Sequence, residues 1–412
     1  MQTIEPKVFE LQNGLRVVFK PIPYTRTVHC GYVINAGSRD DEGNEMGMAH
    51  FIEHMIFKGT HKRKTFHILN YLESVGGDVN AYTTKEKTCF YASLSAEYLD
   101  RATELLSDIT FHSTFPKNEL RKEQQVISEE IDMYRESPDE AIFEDFDEMI
   151  FPDHHLGRPI LGTKESIRQF EQADLLRHIR SSFTQGNVVY AIVGNVTEKS
   201  VRKIIDKYLA PLELPTGSLK RISPNGHQLF NKEVDITNGQ AHEIIGGRAY
   251  PLRKGLYAPF LLLNNLLGGP AMNSRLNLNI REKHGLTYNI SSFYTPFYDS
   301  GIWGVYYACE PRNLPRVRRM VQKELRELSG KPLGSMRLSQ AKKQLSGQMI
   351  LGYENLLTQM LSMAQDILDF GKINSFADYL AEIDAITASQ MQDAAQEIFQ
   401  QNQLSQITYR QG

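Results

Sequence analysis

Residues 47–57 read Gly47-Met48-Ala49-His50-Phe51-Ile52-Glu53-His54-Met55-Ile56-Phe57, a segment of helical length with no helix breaker after its first residue. On an α-helix His50 and His54 stand at positions i and i+4, one turn apart on the same face, and Glu53 lies beside them. Two imidazoles in this arrangement can bind one metal ion. The pattern H-x-x-E-H therefore predicts a metal-binding helix.

The other residues of this segment are apolar almost all the way round, which is typical of a buried helix. An unpaired charge in such a place costs several kcal/mol, so a carboxylate and two imidazoles need partners there. One interpretation is that all three are core residues satisfied by neighbouring groups, which is usual for a single histidine. A divalent metal would serve all three residues at once, and for the full pattern we favour it.

A catalytic zinc with two histidine ligands usually takes a carboxylate as its third protein ligand. The helix predicted over Lys117–Arg135 contains Glu119, Glu123, Glu129 and Glu130. At about 100° per residue, Glu123 and Glu130 lie within about 60° of the centre of its apolar stripe, whereas Glu129 points about 160° away. This favours Glu130 over Glu129 as the ligand, with Glu123 placed two turns earlier to support the site without binding the metal. The alternative, that the helix is simply acidic and exposed to solvent, would explain Glu119 and Glu129 but not Glu123 and Glu130.

The elements around the metal-binding helix combine strands and helices. Period-2 and helical patterns predict strands at Val8–Leu11, Leu15–Lys20, Thr27–Ala36, Asp78–Thr84, Thr88–Leu94 and Val188–Gly194, and helices at Met46–Phe57, Thr65–Ser74, Ala96–Phe111, Lys117–Arg135 and Glu198–Tyr208. After residue 228 the order recurs with a strand around Gly239–Arg248, a helix at Tyr257–Leu267, strands at Tyr288–Pro296 and Gly301–Ala308, and long helices to the C-terminus.

A polar segment rich in proline and glycine separates the two halves and is typical of an inter-domain linker. We therefore predict an α+β protein with a metal-binding domain at 1–212, a linker at 213–228 and a second domain at 229–412. Each domain would be a mainly antiparallel sheet covered by helices. No internal repeat is visible at the level of residues, so any similarity of the halves would be structural.

Composition restricts the class of protein. Hydrophobic residues make up 41%, charged residues 23%, and the formal net charge is −3, which gives no broad attraction to nucleic acid or anionic lipid. No apolar stretch approaches a membrane span, and the first twenty residues resemble neither a signal peptide nor a transit peptide. We expect a cytoplasmic protein without nucleic-acid or membrane partners. Cys30, Cys89 and Cys309 are odd in number and far apart, so buried free thiols are expected rather than disulfides.

The residues described so far resemble those of the inverzincin peptidases, the family of pitrilysin, insulin-degrading enzyme and mitochondrial processing peptidase, for which H-x-x-E-H is the signature. In that family the third ligand follows the second histidine by roughly seventy-five residues and another glutamate precedes it by seven, which Glu130 and Glu123 match. Further matches cover nearly the whole chain: Phe57-Lys-Gly-Thr60, Gly76-Gly77, Asn80-Ala81, Thr84-x-Glu86-x-Thr88, Leu156-Gly-Arg-Pro-Ile-Leu-Gly-Thr163, Asn273-Ser-Arg-Leu276 and the Arg-x6-Tyr motif Arg281–Tyr288. One departure, Phe183-Thr-Gln-Gly-Asn187 in place of Tyr-x-Pro-x-Asn, concerns no expected catalytic residue.

The resemblance implies a zinc endopeptidase in which His50, His54 and Glu130 hold Zn²⁺. Glu53 would be the general base that takes a proton from water and returns it to the leaving amine. Arg281 and Tyr288 resemble the pair that steadies the substrate carbonyl and the developing oxyanion.

The resemblance also implies how substrate and partner bind. The strand edge around Asn80 and Ala81 would pair with an extended peptide by strand addition, so unstructured peptides or precursor segments are the expected substrates. At 412 residues the chain is similar to the short, two-domain branch, in which two chains form one clamshell chamber, and a homodimer is implied.

The alternative is a non-catalytic partner subunit or peptide-binding scaffold of the same fold. Relatives of that kind typically lose a ligand or the base. His50, Glu53, His54 and Glu130 are all present here, which favours the enzyme.

Overall fold

The computed structural model describes residues 5–226, 228–237 and 239–411, which form two compact units. The first unit contains residues 5–132, Arg158–Arg221 and Leu351–Asn374, and the second contains Met133–Gly157, Ile222–Ile350 and 375–411. Neither unit is contiguous in sequence, unlike the predicted ranges 1–212 and 229–412, because each takes one segment from the other half of the chain. The predicted linker 213–228 contains one of the changes of unit, at Arg221.

The first unit is built on a sheet that has six strands in the described part of the chain. They are β1 (Lys7–Glu10), β2 (Arg16–Pro21), β3 (Thr27–Ile34), β4 (Asp78–Thr83), β5 (Thr88–Ser95) and β6 (Val188–Gly194). Their order is β1-β2-β6-β3-β5-β4, and neighbours are antiparallel except for the parallel pair β2 and β6. β4 is therefore an edge strand.

Helices cover both faces of this sheet. They are α1 (Met48–Met55), α2 (Thr65–Glu73), α3 (Leu99–Phe111), α4 (Lys117–Glu136), α6 (Lys164–Gln169), α7 (Gln172–Ser182), α8 (Glu198–Ile204) and α12 (Leu356–Phe370). Val17 and Phe19 of β2 join the core that also contains α1, α2 and α3, while Val18 packs in a second cluster with Met360 of α12. Because successive side chains of a strand point to opposite faces, the apolar run of β2 requires cover on both sides, and α12 supplies one of them.

The second unit repeats this topology. Its described strands are β7 (Asn231–Asp235), β8 (Ala241–Arg248), β9 (Asn289–Pro296), β10 (Gly301–Cys309) and β11 (Ser405–Arg410). They lie in the order β7-β11-β8-β10-β9 with β7 and β11 parallel, which matches β2-β6-β3-β5-β4 strand for strand. The predicted α+β class with two similarly built halves is thus confirmed.

The helices of the second unit also lie on both faces of its sheet. They are α5 (Pro138–Ile150), α9 (Tyr257–Gly268), α10 (Leu314–Gly330), α11 (Ser335–Tyr353), α13 (Phe376–Ala385) and α14 (Ala388–Ile398). Phe146 of α5 packs in a cluster with Ile244 and Ile407, whereas Phe260 of α9 packs with Trp303 in the larger core. α5 therefore covers one face of the second sheet, as α12 covers one face of the first.

The helix predicted over Glu198–Tyr208 is confirmed, as an α-helix over Glu198–Ile204 that continues as a π-helical turn over Ile205–Leu209. One prediction about the elements is wrong. The chain does not end in helices, because β11 lies between β7 and β8 inside the second sheet. Its six residues have both sheet partners far earlier in the chain, so local periodicity carries little information about it. None of the helices in the described residues is long and apolar enough to cross a bilayer.

Candidate metal centre

A buried aspartate fixes the beginning of α1. Gly47 has φ 91, a left-handed conformation that favours glycine, and a Cβ there would lie 2.5 Å from the Leu161 carbonyl oxygen. The Asp41 carboxylate accepts hydrogen bonds from the backbone N–H groups of Gly47 (2.9 Å), Met48 (3.0 Å) and Ala49 (3.1 Å). These are donors that a helix leaves without internal partners. Asp41 was not predicted, because it lies seven residues before Met48, where the helix begins, too far for an ordinary N-cap.

Three side chains converge beside α1. His50 Nε2 lies 4.0 Å and His54 Nε2 lies 3.6 Å from Glu130 Oε2, which α4 supplies. Two ligands of a tetrahedral zinc with bonds of about 2.1 Å are about 3.4 Å apart, so only small movements are needed to bind the ion. No other group of three or more His, Cys, Asp or Glu in the described residues converges in this way.

The choice between the two neighbouring glutamates of α4 agrees with the helix-face geometry. Glu129 Oε1 accepts a hydrogen bond from Gln125 Nε2 (3.0 Å) at an exposed position, on the same helix. Of the two glutamates, only Glu130 has a carboxylate oxygen close to the ring nitrogens of both histidines.

Glu123 holds the ring of His54. Its Oε2 lies 3.1 Å from His54 Nδ1 and its Oε1 lies 2.6 Å from Lys58 Nζ, in a side chain that is 7% exposed. Burial acts to raise the pKa of Glu123, but the bonds with His54 and Lys58 prevail and lower it. Burial likewise acts to lower the pKa of His54, but the hydrogen bond to Glu123 and the negative charges of the nearby carboxylates outweigh burial and raise this pKa. When Nδ1 donates to Glu123, Nε2 is the nitrogen that can bind a metal.

His50 is the more deeply buried histidine. Burial, with a smaller effect of His54, lowers the pKa of His50 to about 3. Its Nδ1 is buried and has no hydrogen-bond partner among the residues that the structure describes. The ring is therefore neutral at physiological pH, the form that ligates metals. Two imidazole nitrogens and one carboxylate oxygen form a ligand set that suits zinc.

Glu53 lies on the same helix but is not one of the converging ligands. Burial raises the pKa of its carboxyl group, while Thr83 at the end of β4 and His54 oppose that rise. A partly buried carboxylate with a raised pKa is suited to accept a proton near neutral pH. The contribution of Thr83 was not predicted, since it depends on how β4 packs against α1.

The predicted substrate-binding residues lie on the edge strand. Asn80 is exposed and Ala81 half-buried on β4, paired with Tyr91 and Phe90 of β5 on the one side where β4 has a partner strand. Among the residues that the structure describes, no strand pairs with the opposite edge of β4.

Arg281 and Tyr288 lie in the second unit, whereas the three metal-ligand candidates lie in the first. Arg281 is in a π-helical turn, Asn277–Glu282, and its guanidinium carbon is 5.9 Å from the centroid of the Tyr288 ring. Tyr288 is 84% exposed just before β9. The structure thus brings these two residues together. Single-turn π-helices occur frequently at functional sites.

Comparisons with known proteins show which family the chain is similar to. The family model "Insulinase (Peptidase family M16)" matches residues 16–164, and "Peptidase M16 inactive domain" matches residues 169–345. The chain is 32% identical to an "Uncharacterized zinc protease YmxG" of Bacillus subtilis over 95% of both chains. It is 30% identical to an "Uncharacterized zinc protease" of Rickettsia bellii, over 97% of this chain and 96% of that one.

Solved structures share the fold. A protease from Helicobacter pylori superposes with a TM-score of 0.90 at 20% identity, covering 98% of this chain and 99% of that one. A peptidase M16 inactive domain from Pseudomonas fluorescens also gives 0.90, at 19% identity, covering 99% and 98%. With both family models matched in order and zinc-protease relatives aligned over nearly their full length, the chain belongs to the M16, or insulinase, family of peptidases.

Proposed function

We propose that this protein is a zinc-dependent metalloendopeptidase. The observation that carries the proposal is the convergence of His50 Nε2, His54 Nε2 and Glu130 Oε2 beside Glu53, in a chain whose relatives are named zinc proteases. When bound by these ligands, zinc supplies Lewis-acid chemistry, which polarises a carbonyl group and makes a water molecule more acidic.

The side chains of the first unit perform the proton transfers. Glu53 accepts a proton from the attacking water on its carboxylate and delivers it to the leaving amine. Its raised pKa helps it to hold that proton between the two transfers. Glu123 keeps His54 in the tautomer with a free Nε2.

The edge of β4 around Asn80 and Ala81 binds the substrate as an added strand. Main-chain hydrogen bonding of this kind selects extended, unstructured peptides more than a particular side-chain sequence. Arg281 and Tyr288 are the proposed donors to the substrate carbonyl, and donors of this type contribute about 3 to 4 kcal/mol to transition-state stabilisation.

Because all proposed metal ligands belong to the first unit, we further propose that two copies of the chain form the working enzyme and that the partner provides Arg281 and Tyr288. Mixed dimers of Glu53→Gln and Arg281→Ala/Tyr288→Phe chains, isolated with two affinity tags, test this. Donation in trans leaves one intact site and about half of wild-type turnover, if the sites are independent. Turnover no greater than in either parental homodimer would contradict it.

The function itself is tested with a library of unstructured peptides and mass-spectrometric mapping of the products. We expect internal cleavage that stops when zinc is removed with a chelator and returns when zinc is restored. Stoichiometric zinc binding without any cleavage would instead support the non-catalytic scaffold.

A further inference from the structure

Arg221, in the segment predicted as a linker, is half-buried in the first unit, and most of its side chain is covered. Its side chain is 9% exposed, and its Nε and Nη2 bond both carboxylate oxygens of Asp40 at 2.9 and 2.7 Å. Nη2 also donates to the carbonyl oxygen of Glu86 (2.9 Å), and Nη1 donates to Asn35 Oδ1 (3.3 Å). One guanidinium thus joins three separate segments of the chain.

Those segments are the end of β3, the loop before α1 and the turn between β4 and β5. The loop and the turn are also joined directly. Ser38 N donates to the Thr84 carbonyl (3.1 Å), Arg39 N donates to the Lys85 carbonyl (2.8 Å), and the Arg39 guanidinium lies 2.5 Å from Glu86 Oε1. A Cβ at Gly37 would come within 2.3 Å of the Thr84 carbonyl oxygen, so the two segments are in close backbone contact.

Both segments lead directly to the candidate site. The turn begins where β4 ends at Thr83, and β4, which packs against the helix α1 that carries Glu53, also carries the proposed substrate edge. The loop continues into Asp41, which holds the first turn of α1. The position of the turn relative to the loop therefore sets the position of the substrate edge relative to Glu53.

We infer that Arg221 is a positioning residue for the peptide substrate, acting through the β4–β5 turn. The inference rests on the proposed function. Arginine is required because its planar group can donate to Asp40, Asn35 and Glu86 together, whereas a lysine presents one ammonium that cannot span the same acceptors. Arg221 takes no part in the contacts of His54 with Glu123 and Glu130, so we expect its replacement to leave metal binding nearly unchanged.

The test compares Arg221→Lys with Arg318→Lys. Arg318 also donates to a buried carboxylate, Glu243, but in the second unit. The two variants lose a comparable bidentate contact, so the control accounts for general loss of stability. We expect the KM for an unstructured peptide to rise about tenfold or more in Arg221→Lys, because small displacements at a site are costly. Zinc affinity should stay within twofold of wild type, and Arg318→Lys should keep the wild-type KM.

Two readouts separate this inference from the proposed function. Hydrogen exchange of residues 78–87 should accelerate in Arg221→Lys and not in Arg318→Lys, whether or not the protein cleaves peptides. Binding of a fluorescent unstructured peptide is measured in a Glu53→Gln background, with and without Arg221→Lys, and should weaken about tenfold. Absence of cleavage by wild type with these two results intact would overturn only the enzymatic function. Unchanged exchange in residues 78–87, or unchanged peptide affinity, would overturn the role of Arg221.

Discussion

Replacing Glu123 with glutamine should weaken zinc binding without removing a ligand. The carboxylate accepts a bond from His54 Nδ1 at 3.1 Å and contacts Lys58 Nζ at 2.6 Å, so each of its oxygens faces a donor. Glutamine has the same shape but only one acceptor oxygen. One of the two donors must then face the amide NH₂ group.

Either orientation of the amide has a cost. If its oxygen faces His54, the NH₂ group points at the Lys58 ammonium, donor against donor. If the NH₂ group faces His54, Nδ1 must become the acceptor and the proton moves to Nε2, the nitrogen that would ligate the metal. Removing such a supporting partner costs about 10- to 100-fold in metal affinity, or about 1.4 to 2.7 kcal/mol. The unsatisfied buried donor should also lower the free energy of unfolding by about 1 to 3 kcal/mol.

The zinc affinity is measured by competition with a chelator near pH 8. Glu119→Gln is the matched control, since Glu119 lies on the same helix and pairs with Lys122 near the surface. Adding Lys58→Met to Glu123→Gln removes the competing donor, so the double variant should recover part of the lost affinity. A zinc Kd for Glu123→Gln within twofold of wild type would show that Glu123 does not orient His54.

Three further outcomes are expected. Glu53→Gln should retain one zinc per chain and lose about 10²- to 10⁴-fold in kcat, and a zinc-free variant on metal analysis would rule out its assignment as the base. Glu130→Gln should lose zinc affinity while Glu129→Gln binds zinc normally, and equal losses would mean that α4 presents a different face. Burial lowers the pKa of His178 to about 4 from an ordinary value of 6.5, so the unfolded chain takes up a proton before the folded protein does as the pH falls. Between pH 7.5 and 5 the wild type should therefore lose about 2 kcal/mol more stability than His178→Gln, measured by denaturant unfolding; equal losses would place the titration elsewhere.

Helical periodicity was sufficient to bring together the residues of the candidate metal centre. His50 and His54 are one turn apart on a single helix, and the choice of Glu130 needed only the angular position of α4 residues relative to its apolar stripe. Asp41 and Arg221 could not be found in that way. Each acts from a loop, through contacts with groups that only the folded chain places nearby.

The fold, too, was predictable where the local sequence pattern is strong and not where distant partners decide the structure. Strands such as β3 and β6 and helices such as α1 and α4 have strong local patterns, and their predicted positions agree with the structure to within a few residues. The strand β11 and the placement of α5 and α12 depend on partners far away in the sequence. Local propensity does not encode which sheet a surface helix will cover, because tertiary packing decides it.

The origin of α12 has a consequence for synthesis on the ribosome. Domains usually fold as units, beginning with the N-terminal one. Here the sheet face formed by Val18, Val33 and Val189 stays bare until Leu356–Phe370 has been translated, after most of the second unit. Unfinished sheets with exposed apolar faces are prone to aggregate. We therefore expect nascent chains to bind holding chaperones until late in translation, and stalled chains ending before and after α12 should differ sharply in protease resistance of the first unit.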